Sequence, residues 1–364
     1  MTPPAVPRND RPFVIPFFLP NQGCPHRCLY CDQQLSGGRR PEPLTPAAVA
    51  AGIENGLSSP RIKPGQRVEA AFYGGTFTAL PLERQARLLE AAAPFLAEGR
   101  LSGLRLSTRP DALTAEKVAF LETRGVTALE IGAQSLDDQV LLRSGRGHTS
   151  NATSRAAGLV KSARLRLGLQ FLLGLPGEDQ ASRELTLTQA LALAPDEARL
   201  YPLLVLEGTA LAELWRRGEY RPLDLDQAVR AAAAMYVDLT RAGTRVLRMG
   251  LQSDERLERS VLAGPHHPAF GHLVKAEVFQ TALIQALSGR PAGRETPVLL
   301  VSPRDLPEAL GPGRSTLAAL KDRFHLEDLA IKPDQSVTRG FFIWAGQTFP
   351  VIGDRDRACI EGIR

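Results

Sequence analysis

Short apolar runs alternate with amphipathic helical stretches from about residue 12 to residue 251. The predicted strands are FVIPFF (13–18), VEAAFYGG (68–75), LSGLRLST (101–108), VTALEIGA (126–133), RLRLGLQFLLG (164–174) and ARLYPLLVL (198–206). Between them, helical spacing ending at glycine, a C-cap signal, marks the segments LERQARLLEAAAPFLAEG, TAEKVAFLETRG and DQAVRAAAAMYVDLTRAG. Six such βα units predict an α/β fold, a partial (β/α)6 TIM-like barrel.

The alternation lapses after about residue 255. The remaining pattern predicts a small C-terminal α+β extension, with helices LVKAEVFQTALIQAL and STLAALKDRF and strands PVLLVS (297–302), LAIKP and GFFIWA. We therefore expect a barrel over 12–255, the extension over 256–364 and a disordered start over 1–11. The first helix should be capped by Thr45.

The bulk composition is that of an ordinary soluble protein, with 43% apolar and 23% charged residues. No apolar run approaches the roughly 20 residues that cross a bilayer, and MTPPAVPRND lacks the layout of a secretory signal. We expect a cytoplasmic protein with no membrane partner. A net charge of +5 is only weak support for a phosphate-rich partner.

Three of the four cysteines lie within eight residues, as a C-x3-C-x2-C array of Cys24, Cys28 and Cys31 directly after the first predicted strand. Zinc sites usually take four ligands in two separated pairs, and no second pair follows. His26 is the alternative fourth zinc ligand, but it lies between Cys24 and Cys28, where all four groups would be hard to wrap around a single ion. Three thiolates suit a [4Fe–4S] cluster whose fourth iron stays open. The alternative is three buried core thiols, and Cys359 is expected to be a tail residue.

This array, with Tyr30 immediately before the third cysteine, resembles the radical S-adenosylmethionine (SAM) superfamily. The resemblance implies a [4Fe–4S] cluster whose open iron chelates SAM. It also implies reductive cleavage of SAM to a 5′-deoxyadenosyl radical, with the electron supplied by a reductant protein such as flavodoxin or ferredoxin.

The carboxyl ends of barrel strands carry the chemistry of such folds, and here they carry glycines and polar side chains. After the second strand, the resemblance implies that Gly74, Gly75 and Thr76 contact the SAM amino group. After the third, Ser107 takes a ribose-facing place where relatives often carry Glu. Nearby are Arg109 and Asp111, for which a surface ion pair of little consequence is the alternative.

The fourth unit, LEIGAQSLDDQVLLRSGRGHT, places Glu130 and Gln134 at the same strand parity, so both should point inward. The resemblance implies that Gln134 bonds the SAM ribose and that Arg146 pairs with its carboxylate. His148 is a candidate acid or base on the substrate side, with a structural cap as the alternative.

The fifth and sixth strands complete the expected SAM pocket. By resemblance, Gln170 is a polar adenosine contact and the backbone near Leu172 brackets the adenine. Leu204 and Leu206 would close that pocket, although apolar strand residues are core by default. Tyr201 is a candidate substrate contact.

Within the superfamily, the segments STRPD, LEIGAQS, RGHT, LQFLLGLPGE and YPLLVLEGT most resemble the radical SAM core of the Elongator catalytic subunit and its shorter bacterial relatives, over about residues 12 to 250. Elongator-type enzymes have a longer cysteine spacing and an acetyltransferase domain. After Leu262 there is neither the length nor the glycine-rich loop for that domain, so acetyl-CoA-dependent carboxymethyl transfer is not supported. The chain is therefore expected to be a stand-alone relative of that core.

The segment AGPHHPAFGHLVKAEVF (263–279) contains His266, His267 and His272. Imidazoles bind zinc or iron, so a metal site is one interpretation. The other, which we favour, is a rigid proline-flanked turn that docks the extension on the barrel mouth.

The sequence therefore predicts a radical SAM enzyme that abstracts hydrogen from an unidentified substrate. A tRNA nucleoside is the first choice, from the Elongator resemblance and from the basic segments SPRIKPGQR and RAGTRVLR. The compact cysteine spacing is shared with oxygen-independent coproporphyrinogen oxidase, so a small-molecule radical enzyme is the alternative. A non-catalytic iron–sulfur or RNA-binding protein is the second alternative.

Overall fold

The computed structural model describes residues 12–19, 22–25, 27–31, 43–252, 255–288 and 298–353. The first elements in chain order are β1 (Phe13–Phe18), α1 (Pro46–Leu57), β2 (Val68–Tyr73), α2 (Leu82–Glu90), α3 (Ala93–Ala97), β3 (Gly103–Thr108), α4 (Ala115–Glu122), β4 (Val126–Gln134), α5 (Asp138–Arg143), α6 (Ser150–Ser162), β5 (Arg166–Leu173), α7 (Gln180–Leu193), β6 (Glu197–Pro202), β7 (Val205–Leu206) and α8 (Ala210–Arg216). The remaining elements are α9 (Leu225–Arg241), β8 (Arg245–Met249), α10 (Glu255–Ser260), β9 (Val261–Ala263), α11 (Phe270–Ser288), β10 (Val298–Val301), α12 (Leu306–Leu310), α13 (Ser315–Phe324), β11 (Ala330–Pro333), β12 (Phe341–Trp344) and β13 (Gln347–Pro350).

Seven strands of the described chain hydrogen-bond in the order β1-β2-β3-β4-β5-β6-β8, and the pairs from β1 to β5 are parallel. This confirms the predicted α/β half-barrel, and all six predicted strands are present. The predicted sixth strand is split by Leu203 and Leu204 into β6 and β7, and β8 is a seventh strand that the pattern did not predict. Thr45 caps α1 as expected, its hydroxyl accepting from the Ala48 backbone N–H.

The two faces of this sheet have opposite character. One face is apolar and fully buried, with members such as Phe72, Leu106, Leu129, Ile131, Leu167 and Leu169. At the alternate positions of β2 to β5, the other face carries Glu69, Arg105, Glu130 and Arg166. Because side chains alternate along a strand, the period-two pattern separates a helix-facing core from a charged inner face.

The inner face is joined by an ionic network that is shielded from solvent. Arg105, 1% exposed, bonds Glu69 at 2.9 Å, Glu130 at 3.0 Å and also Glu197. Arg166 bonds Glu69 at 2.5 Å and Glu197 at 3.2 Å. Burial alone would lower the pKa of Arg105, but the hydrogen bond to Glu197 and the charges of Glu130 and Glu69 raise it overall.

These contacts require a strongly curled sheet. β2 and β5 are separated by two intervening strands, as are β3 and β6, and in a flat sheet such strands lie about 14 Å apart. Glu69 nevertheless meets Arg166, and Arg105 meets Glu197. The network therefore spans the concave side of the sheet and ties its strands together.

The chain divides into two compact units. The first contains residues 1–171, 176–197 and 206–217, and the second contains 172–175, 198–205 and 218–364. In the second unit, a four-stranded sheet in the order β11-β10-β12-β13 packs on a core that includes Phe279, Leu283, Leu299, Val301 and Phe342. The α+β character of the extension is thus as predicted, with β13 as an added strand. The boundary at 255/256 stays a prediction, and the segments 1–11 and 354–364 lie outside the described residues.

No described helix has the length and apolar character needed to traverse a bilayer.

We predict that Arg105→Met lowers the free energy of unfolding by about 3–5 kcal/mol, because it leaves buried carboxylates without their shared cation. Urea unfolding followed by circular dichroism measures this change. Arg155→Met is the matched control, since Arg155 lies exposed on α6. Equal unfolding midpoints for the two variants would show that the network does not hold the fold.

Candidate functional site

The cysteine loop follows the carboxyl end of β1 and packs against the turn after β2. The Thr76 backbone N–H donates to the Gln22 carbonyl at 2.9 Å. A Cβ on Gly75 would lie 2.4 Å from the Leu19 carbonyl oxygen, and one on Gly23 would lie 2.4 Å from the Thr76 oxygen. The two turns therefore approach so closely that both positions require glycine.

Two further backbone contacts fix the middle of this loop. The Leu29 N–H donates to the Ser144 carbonyl at 3.1 Å, and the Leu29 carbonyl accepts from the Leu211 N–H at 2.8 Å. Leu211 lies in the first turn of α8, where backbone N–H groups lack partners within the helix. Cys28 and Cys31 are therefore held by the backbone of the fold itself, on either side of Leu29.

Polar side chains reach two of the three sulfur atoms. The Thr76 Oγ1 lies 3.3 Å from Cys24 Sγ, and the Arg146 Nη1 donates to Cys28 Sγ at 3.3 Å. Thr76 is 1% exposed and Arg146 is 8% exposed. Two residues that the resemblance assigns to SAM thus lie directly beside the cysteine sulfurs.

Arg146 is held in place from three sides. Its Nη2 donates to the Gly132 carbonyl at 2.6 Å, and Arg109 Nη2 donates to the Arg146 carbonyl at 2.7 Å. Arg109 is in turn held by a two-bond pair with Asp111, both bonds 2.9 Å long. Arg109 is only 2% exposed, whereas Asp111 is exposed, so the pair is buried on the arginine side alone. A Cβ on Gly132 would lie 2.8 Å from Arg146 Nη2, so this glycine makes room for the guanidinium.

Several buried polar atoms around the loop have no hydrogen-bond partner among the described residues: Arg109 Nη1, Ser144 Oγ and Arg146 Nε. Buried polar groups are nearly always satisfied, so a concentration of unsatisfied ones marks a place that receives a polar or charged group. Three thiols beside a buried cation match the donor chemistry of an iron–sulfur cluster. The residues present therefore fit a [4Fe–4S] cluster with SAM beside it. Among the described residues, no group of three His, Cys, Asp or Glu side chains lies close enough together to hold a single metal ion.

His148 is a neutral imidazole in this setting. Burial, followed by the charges of Arg146 and Arg109, lowers its pKa to about 3. Tyr30 lies in a similar environment, where burial raises the pKa of its hydroxyl despite the opposing charge of Arg146. A catalytic role for His148 stays a prediction, and the imidazole would act there as a neutral group.

Gln134 lies beside Arg146 because of an irregularity in β4, and not because it shares the strand parity of Glu130. The pairing of β4 with β5 shifts register between Ile131 and Gln134, and Gln134 has a φ of 69°. The parity argument from Glu130 therefore does not extend to Gln134. Its amide nitrogen nevertheless lies 2.9 Å from where a Gly132 Cβ would be, on the same side as Arg146 Nη2. The bulge brings the amide to the guanidinium.

Glu130 links the buried network to the rim of the inner face. Its carboxylate accepts from Tyr73 Oη at 3.1 Å and from Gln170 Nε2 at 2.9 Å. Gln170 also donates to Ser107 Oγ at 3.3 Å. Ser107 and Gln170, both expected SAM contacts, are thus joined to each other. Gly168, opposite Glu130 in register, leaves space for that side chain.

Three expected residues remain, Gly74, Leu172 and Tyr201. Gly74 directly follows β2 and precedes Gly75, with a φ of 91° in the left-handed region. Leu172 and Tyr201 belong to the second unit, where the Tyr201 hydroxyl accepts from Arg199 at 3.3 Å. Their roles stay predictions.

The histidine-rich segment opens α11. The His267 Nδ1 accepts from the Ala269 N–H at 3.1 Å, directly before that helix. No metal-binding group of three side chains includes these histidines within the described residues. His26 and Cys359 lie outside the described residues.

We predict that His148 destabilises the protein as the pH falls. Between about pH 7.5 and about 5.5, an unfolded imidazole with a pKa of about 6.5 takes up a proton, whereas the folded one does not. The unfolded state therefore gains about 1.4 kcal/mol over this interval from this residue. Urea titrations at both pH values should show a smaller pH-dependent loss for His148→Gln than for the unmodified protein. Equal losses would contradict a neutral His148.

Comparison with known proteins shows which family the chain resembles. The model of the Radical SAM superfamily matches residues 18–190, and that of the Radical_SAM C-terminal domain matches 195–280. A tRNA uridine(34) acetyltransferase of Methanocaldococcus jannaschii is 29% identical over 255 residues, covering 59% of this chain and 47% of the relative. Elongator complex protein 3 of Mus musculus is 31% identical over 199 residues, which cover 48% of this chain and 36% of that protein. The chain thus spans half or less of the length of these relatives.

Among solved structures, Elp3 of the archaeon Methanocaldococcus infernus with an N-terminal deletion shares the fold, with a TM-score of 0.58 and 22% identity. The match covers 79% of this chain and 70% of that one. The two family models together cover more than two thirds of the sequence. The chain therefore belongs to the radical SAM superfamily, enzymes that use a [4Fe–4S] cluster and SAM, and is related to Elongator complex protein 3.

Proposed function

We propose that Cys24, Cys28 and Cys31 hold the cluster and that the enzyme acts on a nucleoside of an RNA, with tRNA as the first candidate. The observation that carries the first part is the cysteine loop itself. It is fixed by backbone bonds at a strand's carboxyl end, with Arg146 and Thr76 on two of its sulfurs. The bound pair supplies reductive cleavage of the SAM sulfonium, which yields a 5′-deoxyadenosyl radical for hydrogen abstraction.

The surrounding residues position SAM in this proposal. The turn at Gly74 and Gly75 packs closely against the cysteine loop, so its backbone groups would contact SAM bound at that loop. Gln134 lies next to Arg146, and the bonded pair of Ser107 and Gln170 lies further along the inner face. Amide and hydroxyl groups of this kind suit ribose and adenine.

The RNA substrate is supported first by the relatives, three of which are named tRNA uridine(34) acetyltransferase. A second support is Phe18, the last residue of β1, which is 63% exposed. Phe18 pairs in register with Tyr73, whose hydroxyl reaches Glu130, so its ring lies on the inner face. An exposed ring beside the cysteine loop can stack on a splayed-out base.

The basic segment SPRIKPGQR does not contribute to this argument. It forms the connection between α1 and β2 and therefore lies at the amino end of β2. The cysteine loop follows the carboxyl end of β1, which is parallel to β2. The segment thus lies at the amino ends of the strands, whereas the proposed reaction site lies at their carboxyl ends.

In this proposal a soluble reductant protein such as flavodoxin or ferredoxin supplies the electron, and the enzyme works in the cytoplasm, where tRNA is found.

We predict that Cys28→Ala abolishes cluster binding and SAM cleavage, because the cluster loses one of three ligands. After anaerobic reconstitution, iron and sulfide content and dithionite-dependent release of 5′-deoxyadenosine are measured. Cys359→Ala, the remaining cysteine, is the control and should match the unmodified protein. A fully loaded protein that releases no 5′-deoxyadenosine would indicate a non-catalytic iron–sulfur protein.

We predict that the reconstituted enzyme binds unmodified tRNA, and that binding weakens at least tenfold between about 50 and 200 mM salt, because phosphate contacts release counterions. Filter binding measures the affinity. Phe18→Ala should weaken binding several-fold through lost stacking, whereas Leu185→Ala, which removes an exposed apolar side chain of α7, should not. Cleavage of SAM without tRNA binding at about 50 mM salt would favour a small-molecule substrate.

A further inference from the structure

Arg146 is a buried cation without a carboxylate partner. Its guanidinium is held at two ends, by Cys28 Sγ and by the Gly132 carbonyl. Within the described part of the chain, no Asp or Glu forms an ion pair with it: Asp111, whose charge acts on Arg146 from further away, is bonded to Arg109. A buried charge without a directly paired counterion is costly, so an anion bound beside Arg146 would stabilise it.

The anion that best fits this position is a cluster ligated by thiolates. A [4Fe–4S] core with three cysteine thiolates is negatively charged, and its charge grows by one unit on reduction. A cation held on a ligand sulfur therefore stabilises the reduced state more than the oxidised one. Hydrogen bonds to the sulfurs act in the same direction and are a known means of tuning these centres.

Thr76 provides the same kind of contact on a second sulfur. Its hydroxyl lies 3.3 Å from Cys24 Sγ and is buried. A thiolate ligand has no proton to give, so in the loaded protein the hydroxyl must be the donor. The sulfurs of Cys24 and Cys28 thus each receive a donor, one from the turn after β2 and the other from the loop after α5.

We propose that Arg146 and Thr76 are positioning residues for the cluster, donating to the sulfurs of Cys28 and Cys24 and thereby raising its midpoint potential. This rests on the proposed assignment of the three cysteines as ligands. It differs from the role that the superfamily resemblance implies for Arg146, pairing with the SAM carboxylate. Each terminal nitrogen of Arg146 already donates one hydrogen bond within the protein, to Cys28 Sγ and to the Gly132 carbonyl, and Nε has no partner.

The pair of Arg109 and Asp111 has a defined part in this arrangement. Arg109 Nη2 donates a hydrogen bond to the Arg146 carbonyl. Asp111 accepts from the Arg109 guanidinium and fixes its orientation. The backbone of Arg146 is therefore anchored independently of its side chain. A change of the Arg146 side chain alone should leave the loop carrying it in place, which makes substitution at this position informative.

The test compares Arg146→Met, Arg146→Lys and the control Arg155→Met in anaerobically reconstituted protein. The midpoint potential is measured by redox titration of the cluster absorbance, and SAM affinity by equilibrium dialysis. Arg146→Met should shift the one-electron equilibrium at least tenfold toward the oxidised state, about 59 mV more negative. Arg146→Lys, which keeps the charge, should shift it less, and Arg155→Met not at all. SAM affinity should stay within about threefold.

An unchanged potential in Arg146→Met, together with SAM affinity weakened tenfold or more, would overturn the proposal and assign Arg146 to the SAM carboxylate. Loss of iron from Arg146→Met with an unchanged melting temperature of the metal-free protein would support it, because a SAM contact is not needed for cluster assembly. Thr76→Val is the independent variant: it should also lower the potential, and no shift would remove Thr76 from the proposal. If the unmodified protein bound no cluster, the ligand assignment itself would fail.

Discussion

The ionic network on the concave side of the sheet is the constraint on which the rest of the structure depends. Two guanidinium groups, Arg105 and Arg166, hold the carboxylates of Glu69, Glu130 and Glu197 across strands that a flat sheet would keep apart. The network keeps the sheet curled, so the carboxyl ends of its strands can converge on one site. The Glu130 carboxylate also accepts hydrogen bonds from Tyr73 and Gln170, and so links the network to these two side chains.

The cysteine loop is held in place by backbone hydrogen bonds to three other segments. Its backbone is bonded to the turn after β2 at Thr76, to the loop after α5 at Ser144 and to the first turn of α8 at Leu211. Glycines at 23 and 75 permit the closest of these approaches. The sulfurs are then surrounded by donors and by buried groups without partners. A preorganised site of this kind lowers the cost of ordering the loop when a cofactor binds.

The sequence was informative where a pattern has only one structural meaning. Alternating βα units predicted the sheet and the ends of its strands, and β1 was predicted to the residue because its apolar run ends directly before the cysteine loop. β8 was not predicted, because RVLRM is half-buried along its whole length and carries arginines. The buried network was missed for a related reason: Arg and Glu are almost never fully buried, so a one-dimensional pattern assigns them to the surface.

The local geometry of the site was less accessible to sequence reasoning. A strand parity argument cannot anticipate the bulge that turns Gln134 toward Arg146. The need for glycine at 132 follows from the position of the Arg146 guanidinium, which is distant in sequence. The signal that could have found the network was one charged residue within the apolar run of each successive strand, with alternating sign: Glu69, Arg105, Glu130 and Arg166. Opposite charges on neighbouring strands attract each other across a sheet.

In the proposed site, three cysteines bind a four-iron cluster with one corner open to SAM. Mössbauer spectroscopy of protein loaded anaerobically with 57Fe, recorded before and after SAM addition, tests this binding directly. We expect the spectrum of a [4Fe–4S] cluster in which a single iron site changes its parameters when SAM is added. A spectrum without a four-iron cluster, or one that SAM leaves unchanged, would contradict it.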